Sequence, residues 1–558
     1  MAATQFVAWR TGYSPGLGEP IFHFHGVAFY EPWKWIEWIR APWADHAKRT
    51  FAVIKSVMLI ATVGTAIFLV WLRNRAGRRP RGHPGIHGTA RFATTDEIDK
   101  AGLLAHRSQS PSVVIGLTQD GRYIRHYGTQ PIARIAPTRS GKGVDWVAPN
   151  LLSWTESAVV YDVKAELRSV SAGWRQSIGQ RIITYKPGSD SQGARHNALD
   201  EVHLGTSREV ADAQNIALML IDTEGKGLGH GDQKHWNSTA YSLISGLILH
   251  VLLESPHDPR PSLPDVAWAL ADPERDPLSV FEDMRNSDHP FVSQAGSIIL
   301  AKPDRERDSV ISTANTALEL FRDPVIALNT YKSDWNIIDL VNGPEPMTLY
   351  IITPGSDEAR LRPLVRLLLA QILRTLLSTE LSFVAGRPAQ PFRFKLLMQI
   401  DEFPSLKFID AVEDSTPKAA GWGIKFDLIC QDRSQLQKTY GQHETILANC
   451  HIRCALAPNS TDTAAWLSTQ SGETTVLRDV WTESGKRASN LNQVSHSVQE
   501  VKRPLLTTDE IMRLPMTTAE DGPGEMLAFV TGMHPVLAKQ CPYYLDKEYL
   551  RRSSIVLV

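Results

Sequence analysis

The chain has 558 residues, enough for two to four domains with a sizeable core. A hydrophobic content of 42% with 21% charged residues is that of an ordinary globular protein, and the formal net charge of −1 excludes a generally basic surface, so a polynucleotide would have to meet cations gathered locally, as in a pore. Four cysteines exclude a disulfide framework, and Cys450-His451-x-x-Cys454 lacks the second Cys/His pair that a four-ligand zinc site needs.

Residues 1–50 carry Trp33, Trp35, Trp38 and Trp43 among turn residues such as Pro15-Gly16. Aromatic side chains of this kind sit at the headgroup level of a bilayer or build a small apolar subdomain, and the two are compatible. Residues 51–72 are apolar apart from Lys55 and a few small polar side chains, which predicts a transmembrane helix with Lys55 snorkelling outward. Arg73, Arg75, Arg78, Arg79 and Arg81 follow at once, so the positive-inside rule puts residues 1–50 outside, as a periplasmic segment if the cell is bacterial, and the rest of the chain in the cytoplasm. Residues 73–88 read as a Gly/Pro/Arg-rich juxtamembrane linker whose arginines suit acidic lipid headgroups.

The soluble part opens at Gly88-Thr89-Ala90-Arg91-Phe92-Ala93, followed by a helix with Thr95 as its N-cap. The apolar run 131–136 predicts a strand. It leads into Ala136-Pro137-Thr138-Arg139-Ser140-Gly141-Lys142-Gly143-Val144 and then a helix. Strand, small-residue loop with Gly-Lys, and helix is the context of a phosphate-cradling loop, in which backbone N–H groups and the helix N-terminus face the anion and the lysine reaches the outer phosphates. Against the pattern G-x-x-x-x-G-K-[ST], Ala136 replaces the first glycine and Gly143 the magnesium-binding hydroxyl residue. Residues 157–162 predict a further strand ending in Asp162, with Lys164 and Glu166 just beyond. Another strand follows at 181–185, an alternation that argues for a parallel α/β sheet.

Between 205 and 342 strand signals vanish and helical ones dominate, which predicts an inserted all-α domain. Within it, residues 241–253 read as a buried helix too short to span a bilayer. Strand signals return at 347–352. The amphipathic helix 361–377 carries Arg362, Arg366 and Arg374, which could serve a subunit interface or DNA and most simply form its polar edge. Residues 394–400 predict a buried strand ending in Asp401-Glu402, the second half of a P-loop ATPase: the aspartate holds magnesium and the glutamate orients or deprotonates the attacking water. A carboxylate pair after a strand is weak by itself; with a Gly-Lys loop about 260 residues upstream it is strong. The strand 424–430 ends at Gln431, placed to sense the γ-phosphate or to cap the turn.

With these motifs in place the chain resembles the TraG-like coupling proteins of type IV secretion and conjugation, the membrane ATPases related to the VirD-type family. The resemblance runs from about residue 11 to 545. It rests on Gly88-Thr89-Ala90-Arg91-Phe92, the 136–144 loop, Leu151-Leu152-Ser153-Trp154 and Asp162-Val163-Lys164-Ala165-Glu166. Arg360-Leu361-Arg362-Pro363-Leu364-Val365-Arg366, Asp401-Glu402-Phe403-Pro404-Ser405-Leu406, Ile429-Cys430-Gln431-Asp432 and Arg503-Pro504-Leu505-Leu506-Thr507 complete it. Lys-Gly in the loop is the family's own usage.

The resemblance implies a RecA-like α/β nucleotide-binding domain in two halves, 89–204 and 343–558, around an all-α insertion at 205–342. It implies ATP and Mg2+ as ligands, a homo-oligomeric, hexameric ring in the bacterial inner membrane, and delivery of a relaxase-bound single-stranded DNA to the inner-membrane components of the secretion channel. ATP would sit on Thr138, Arg139, Ser140, Gly141, Lys142, Gly143 and Val144. Lys142, Asp401, Glu402 and Gln431 would carry catalysis, Asp401 would hold magnesium, and Asp162, Lys164 and Glu166 would assist. Members of the family carry two membrane helices as a rule, and one is legible here. Asp145 replaces a small residue, and Ala165 and Lys407 replace glycines. These three would suit an alternative, a membrane docking adaptor that binds nucleotide with little hydrolysis. A chromosome pump of the FtsK type is the other alternative, against which the Ser153-Trp154 and 503–507 matches argue.

Overall fold

The computed structural model describes residues 1–76, 85–104, 110–190, 193–229, 231–255, 259–384, 387–484 and 493–558. Most of the 73–88 linker, including Arg78, Arg79 and Arg81, lies outside the described residues. The chain divides into two compact units, one formed by Met1–Pro84 with Leu477–Val501 and the other by Gly85–Val476 with Lys502–Val558.

In the first unit a helix Ala2–Arg10, a hairpin pairing Phe22–Phe24 with Val27–Phe29, and a short helix Lys34–Trp38 precede the helix Lys48–Ala76. Val7, Ala8, Leu17, Tyr30, Trp38, Phe51 and Ile54 form a small core, and the Trp38 indole N–H donates to the Leu17 carbonyl at 3.1 Å. Trp38 is therefore a packing residue, while Trp9 and Trp33 stay exposed. Within Pro42–Arg73 the most apolar 18-residue window has a mean hydropathy of 2.2 and only 6% of it is buried, so by length and composition this helix can cross a membrane. Gln233–Glu254 is also long and apolar enough to cross a membrane, but 56% of its window is buried in the second unit, where it is a core helix.

An eleven-stranded sheet organises the second unit. Its strands are β1 (Val113–Leu117), β2 (Tyr123–His126), β3 (Ile132–Ile135), β4 (Ser157–Tyr161), β5 (Arg181–Tyr185), β6 (Met347–Ile351), β7 (Leu396–Ile400), β8 (Ile424–Cys430), β9 (Ile452–Ala455), β10 (Glu525–Val530) and β11 (Val536–Lys539). They lie in the order β2-β1-β11-β10-β9-β3-β8-β7-β4-β6-β5. The seven strands from β9 to β5 are all parallel, and the remaining four are added antiparallel. Parallel strands need both faces covered, and the alternation along β7 shows how this is met. Leu396, Met398 and Ile400 enter the larger core beside Leu364 and Leu368, whereas Leu397 enters the opposite layer with Trp146, Leu151 and Trp154.

The all-α insertion interrupts the sheet between β5 and β6. Helices Glu209–Ile221, Gly231–Glu254, Leu263–Ala271, Pro277–Arg285, Pro290–Leu300 and Asp304–Leu318 carry it, and among the described residues from 209 to 342 there is no strand. Three local expectations need correction. The helix after the opening motif is capped by Thr94, whose hydroxyl accepts from Glu97 N in a capping box, so Thr95 is its first helical residue. Arg366 is no polar edge: it is buried on helix Glu358–Leu377 and donates to the Asp222 carbonyl at 2.7 Å and the Phe408 carbonyl at 2.8 Å. The helix after the Gly-Lys loop begins as a π-type turn over Gly143–Val147 and becomes α-helical only at Ala148–Leu151.

Candidate active site

The register of the parallel strands assembles the site. Ile135 lies beside Cys430, and Ile400 beside Tyr161. Ala136, Gln431, Asp401 and Asp162 therefore leave the sheet together at the carboxyl ends of β3, β8, β7 and β4, where open α/β sheets bind ligands. Ala136 N still donates to the Cys430 carbonyl at 2.9 Å, and the chain then turns away.

The loop closes on itself through Ser140, which donates from its hydroxyl to the Pro137 carbonyl at 2.7 Å, and through Val144 N and Asp145 N, which both reach the Gly141 carbonyl. Arg139 (φ 64°) and Gly141 (φ 88°) are left-handed, a backbone that gathers N–H groups into a concave anion-binding nest. Only glycine fits at 141, because a Cβ there would come within 2.3 Å of the Asp145 carboxylate. Thr138 and Arg139 are exposed and Ser140 is buried.

Lys142 and Asp401-Glu402 meet across the sheet. The Lys142 ammonium ion-pairs with Asp401 Oδ1 at 3.1 Å and donates to the Glu402 carboxylate. Glu402 accepts from Gln431 Nε2 at 2.7 Å, and Gln431 Oε1 accepts from the Thr138 hydroxyl at 2.9 Å. Thr138, Gln431, Glu402, Lys142 and Asp401 are thus one continuous chain of contacts. Burial would lower the Lys142 pKa, but the facing carboxylates outweigh it and hold it above the ordinary lysine value. Burial raises Asp401, with Lys142 opposing. Glu402 itself is left-handed (φ 53°), a strained backbone of the kind that collects at functional sites.

Asp162, Lys164 and Glu166 line the same cleft of about 560 Å3 as Asp401, Glu402 and Gln431. Asp162 is buried, accepts from Arg168 N at 2.9 Å, and is pushed by burial up to about 6. Lys164 and Glu166 face solvent as a loose pair at 3.9 Å. Asp145 faces away from the loop's open side: it is fully buried, approached by the Thr517 hydroxyl at 3.5 Å, and burial raises it to about 7. Ala165 (φ 58°) and Lys407 (φ 63°) hold positive φ with side chains attached, which strains the backbone at both turns.

The structure adds residues that the sequence reading missed. Glu224, Lys226, Glu358 and Lys438 also line the cleft, beside Lys407. The one local signal was Gly225-Lys226-Gly227, two turn glycines around a lysine. Gly225 lies so close to Phe408 that a Cβ would come within 2.3 Å of its carbonyl oxygen, and Arg366 bridges Asp222 to the same Phe408. The start of the insertion is therefore tied to the segment that follows Asp401-Glu402. Cys450 and Cys454 are buried free thiols, and no metal-binding cluster of His, Cys, Asp and Glu occurs among the described residues.

Fold and site together define a RecA-like P-loop protein with an all-α insertion and an apolar N-terminal helix. A sequence profile described as "Type IV secretory system Conjugative DNA transfer" matches residues 91–556. Conjugal transfer protein TraG of Escherichia coli is 38% identical over 590 residues, covering 99% of this chain and 90% of that one. VirD4 of Agrobacterium fabrum is 26% identical over 581 residues, covering 99% and 77%. Among solved structures, the unbound bacterial conjugative coupling protein TrwBdeltaN70 superposes with a TM-score of 0.58 at 17% identity, over 81% of this chain and 92% of its own. TrwB in complex with ADP and Mg2+ gives 0.58 at 16%, over 84% and 97%. The chain belongs to the type IV secretory system conjugative DNA-transfer family.

Proposed function

We propose that this chain is the membrane-anchored ATPase that couples a relaxase-bound single-stranded DNA to the inner-membrane components of a type IV secretion channel. The observation that carries the reading is the continuous contact chain from Thr138 through Gln431, Glu402 and Lys142 to Asp401, in a chain of the conjugative DNA-transfer family. Residues 1–50 are periplasmic, 51–72 cross the inner membrane, and 73–88 are the juxtamembrane linker. The ATPase halves, 89–204 and 343–558, are cytoplasmic around the 205–342 insertion, and copies assemble into a hexameric ring.

The backbone nest of residues 138–144 binds the phosphates of ATP, and Lys142 binds its outer ones. When bound, Mg2+ would supply charge neutralisation at the phosphate oxygens. The donor set suits it: the cleft presents carboxylate oxygens, the ligands of a hard cation, with Asp401 as its holder. Phosphates compete with Asp401 and Glu402 for Lys142. Their arrival releases Glu402, which is then free to take a proton from the attacking water. Gln431, bonded to both Thr138 and Glu402, orients that carboxylate and links it to the loop. The TrwB coupling protein, similar in fold, was solved with ADP and Mg2+, which supports the same ligands here.

The test is ATP hydrolysis by the full chain in lipid nanodiscs, with and without single-stranded DNA. Lys142→Ala is expected to lose nucleotide binding and turnover together. Glu402→Gln is expected to keep binding and lose turnover by about 10²–10⁴-fold. Equally negligible DNA-stimulated rates in the unaltered chain and both variants would remove the motor and leave the docking adaptor.

A further inference from the structure

Gly143 leaves a gap in the chemistry. In the general P-loop pattern the residue after the lysine places a hydroxyl on Mg2+, and Gly143 has no side chain. Mg2+ demands oxygen ligands at about 2.0–2.1 Å and is usually held by one or two carboxylates together with phosphates and waters. Asp401 is one such carboxylate, and a second oxygen on the loop's side is missing from the sequence pattern.

The space that the missing side chain would fill is faced by another group. A Cβ built on Gly143 has a single neighbour within 4 Å, Glu166 Oε1 at 3.7 Å. A hydroxyl would lie one covalent bond beyond that Cβ, which brings the position it would occupy close to this carboxylate oxygen. We infer that Glu166 supplies the magnesium ligand that Gly143 lacks, an inference that rests on the nucleotide-binding reading of the site.

The local structure explains how Glu166 comes to stand there. β4 delivers the chain to the cleft at Asp162, whose buried carboxylate accepts from Arg168 N and clamps the turn. Ala165 is left-handed and reverses the chain, so Glu166 becomes the first residue of helix Glu166–Ser177. Its carboxylate is uncommitted in energetic terms: its ion pair with Lys164, at 3.9 Å between exposed side chains, is of the kind worth little.

The other nearby carboxylates are otherwise engaged. Asp162 holds the turn and is a positioning residue. Asp145 is buried beneath Gly141, on the far side of the loop. Glu402 is bonded to Lys142 and Gln431. Glu166 and Asp401 line one cleft, and both are oxygen donors suited to a hard cation.

The experiment measures binding, without turnover, on the full chain in nanodiscs. A fluorescent ATP analogue is titrated with and without Mg2+, and Mn2+ bound to the nucleotide complex is read by electron paramagnetic resonance. For the unaltered chain Mg2+ is expected to tighten nucleotide binding. Glu166→Gln is expected to weaken Mg2+ and Mn2+ binding to the complex by about tenfold or more, while binding of the metal-free nucleotide stays unchanged. Adding Gly143→Ser to Glu166→Gln is expected to restore the metal dependence, because the hydroxyl returns to its usual place; a merely structural role for Glu166 would not be rescued this way. Metal binding in Glu166→Gln equal to that of the unaltered chain, or no recovery in the double variant, overturns the inference and leaves the nucleotide site standing. No nucleotide binding by the unaltered chain, with or without metal, overturns the nucleotide site and this inference with it.

Discussion

Two ionic clusters sit on the central strands, one between β3 and β8 in mid-sheet and one where the loop after β3 meets the end of β7, and they differ in what surrounds them. In mid-sheet, Arg134 donates from Nε to Asp427 Oδ1 at 2.7 Å, and Asn150 donates to Asp427 Oδ2 at 2.8 Å. Arg134 also donates to the Val114 carbonyl and lies over the Trp146 ring at 5.1 Å. Both charges of this pair are fully buried. At the carboxyl edge, Lys142, Asp401 and Glu402 form the second cluster, with 12–26% of their side chains exposed on an open cleft. A buried pair has no competitor for its partners, so it locks β3 to β8 and carries the strand and helix on either side of the loop. A half-exposed pair can exchange partners with an incoming anion. One cluster is scaffold and the other is exchangeable, although the residue types are nearly the same.

The comparison is broken most strongly by removing a charge from the scaffold. Asp427→Ala strands Arg134 and Asn150 in the core and is expected to destabilise by about 3–5 kcal/mol, read from the urea midpoint of the detergent-solubilised chain. Lys142→Ala in the same assay is expected to shift it by about 1 kcal/mol or less. Equal losses would mean that the edge cluster is structural too.

Asp145 sharpens the contrast, since it is buried like Asp427 but lacks a cation. Its folded pKa is raised from 3.8 to about 7 by burial. The folded chain therefore keeps a proton that the unfolded chain releases, and this group makes stability fall as pH rises from 3.8 to about 7, with no further change above. Asp145→Asn is expected to abolish that slope and to add up to about 4 kcal/mol at pH 8, each raised unit being worth about 1.4 kcal/mol; a slope unchanged by the substitution would refute the assignment.

The smallest effect concerns the strained turns beside the edge cluster. Lys407 holds φ 63° and ψ −167°, a region almost confined to glycine, and Lys407→Gly is expected to stabilise by about 1 kcal/mol. Ala165→Gly is expected to gain less, because its φ 58° and ψ 10° fall nearer the left-handed helical region that other residues visit. Thermal midpoints that move down in both variants would show that the side chains make contacts that offset the strain.

How much of this was legible in advance follows the range of each interaction. The apolar N-terminal helix, the strand before the Gly-Lys loop, the strand before Asp401-Glu402 and the helical insertion all announce themselves by hydropathy or periodicity within about 20 residues. The loop's lysine and the Asp-Glu pair could be named because their residue types are tied to phosphate and magnesium chemistry. Arg134 and Asp427 gave no such signal, since an isolated charge in an apolar run does not declare its partner. Arg366 was misread for the same reason: its helical spacing is that of a polar edge, and only the packing of the insertion against the segment after Glu402 makes it a buried bridge.

The sequence alone thus determined the order and type of the elements and the residue types that the loop carries, because those depend on neighbours along the chain. Tertiary structure decided which carboxylate faces what. Parallel register set Asp162, Asp401 and Gln431 around the loop from strands far apart in sequence. The left-handed turn at Ala165 carried Glu166 to the place left open by Gly143. The packing of the C-terminal segment buried Asp145 away from the phosphate side. These outcomes depend on contacts between residues hundreds of positions apart, such as Lys142 and Glu402 with 260 positions between them, and such contacts exist only once the sheet has closed.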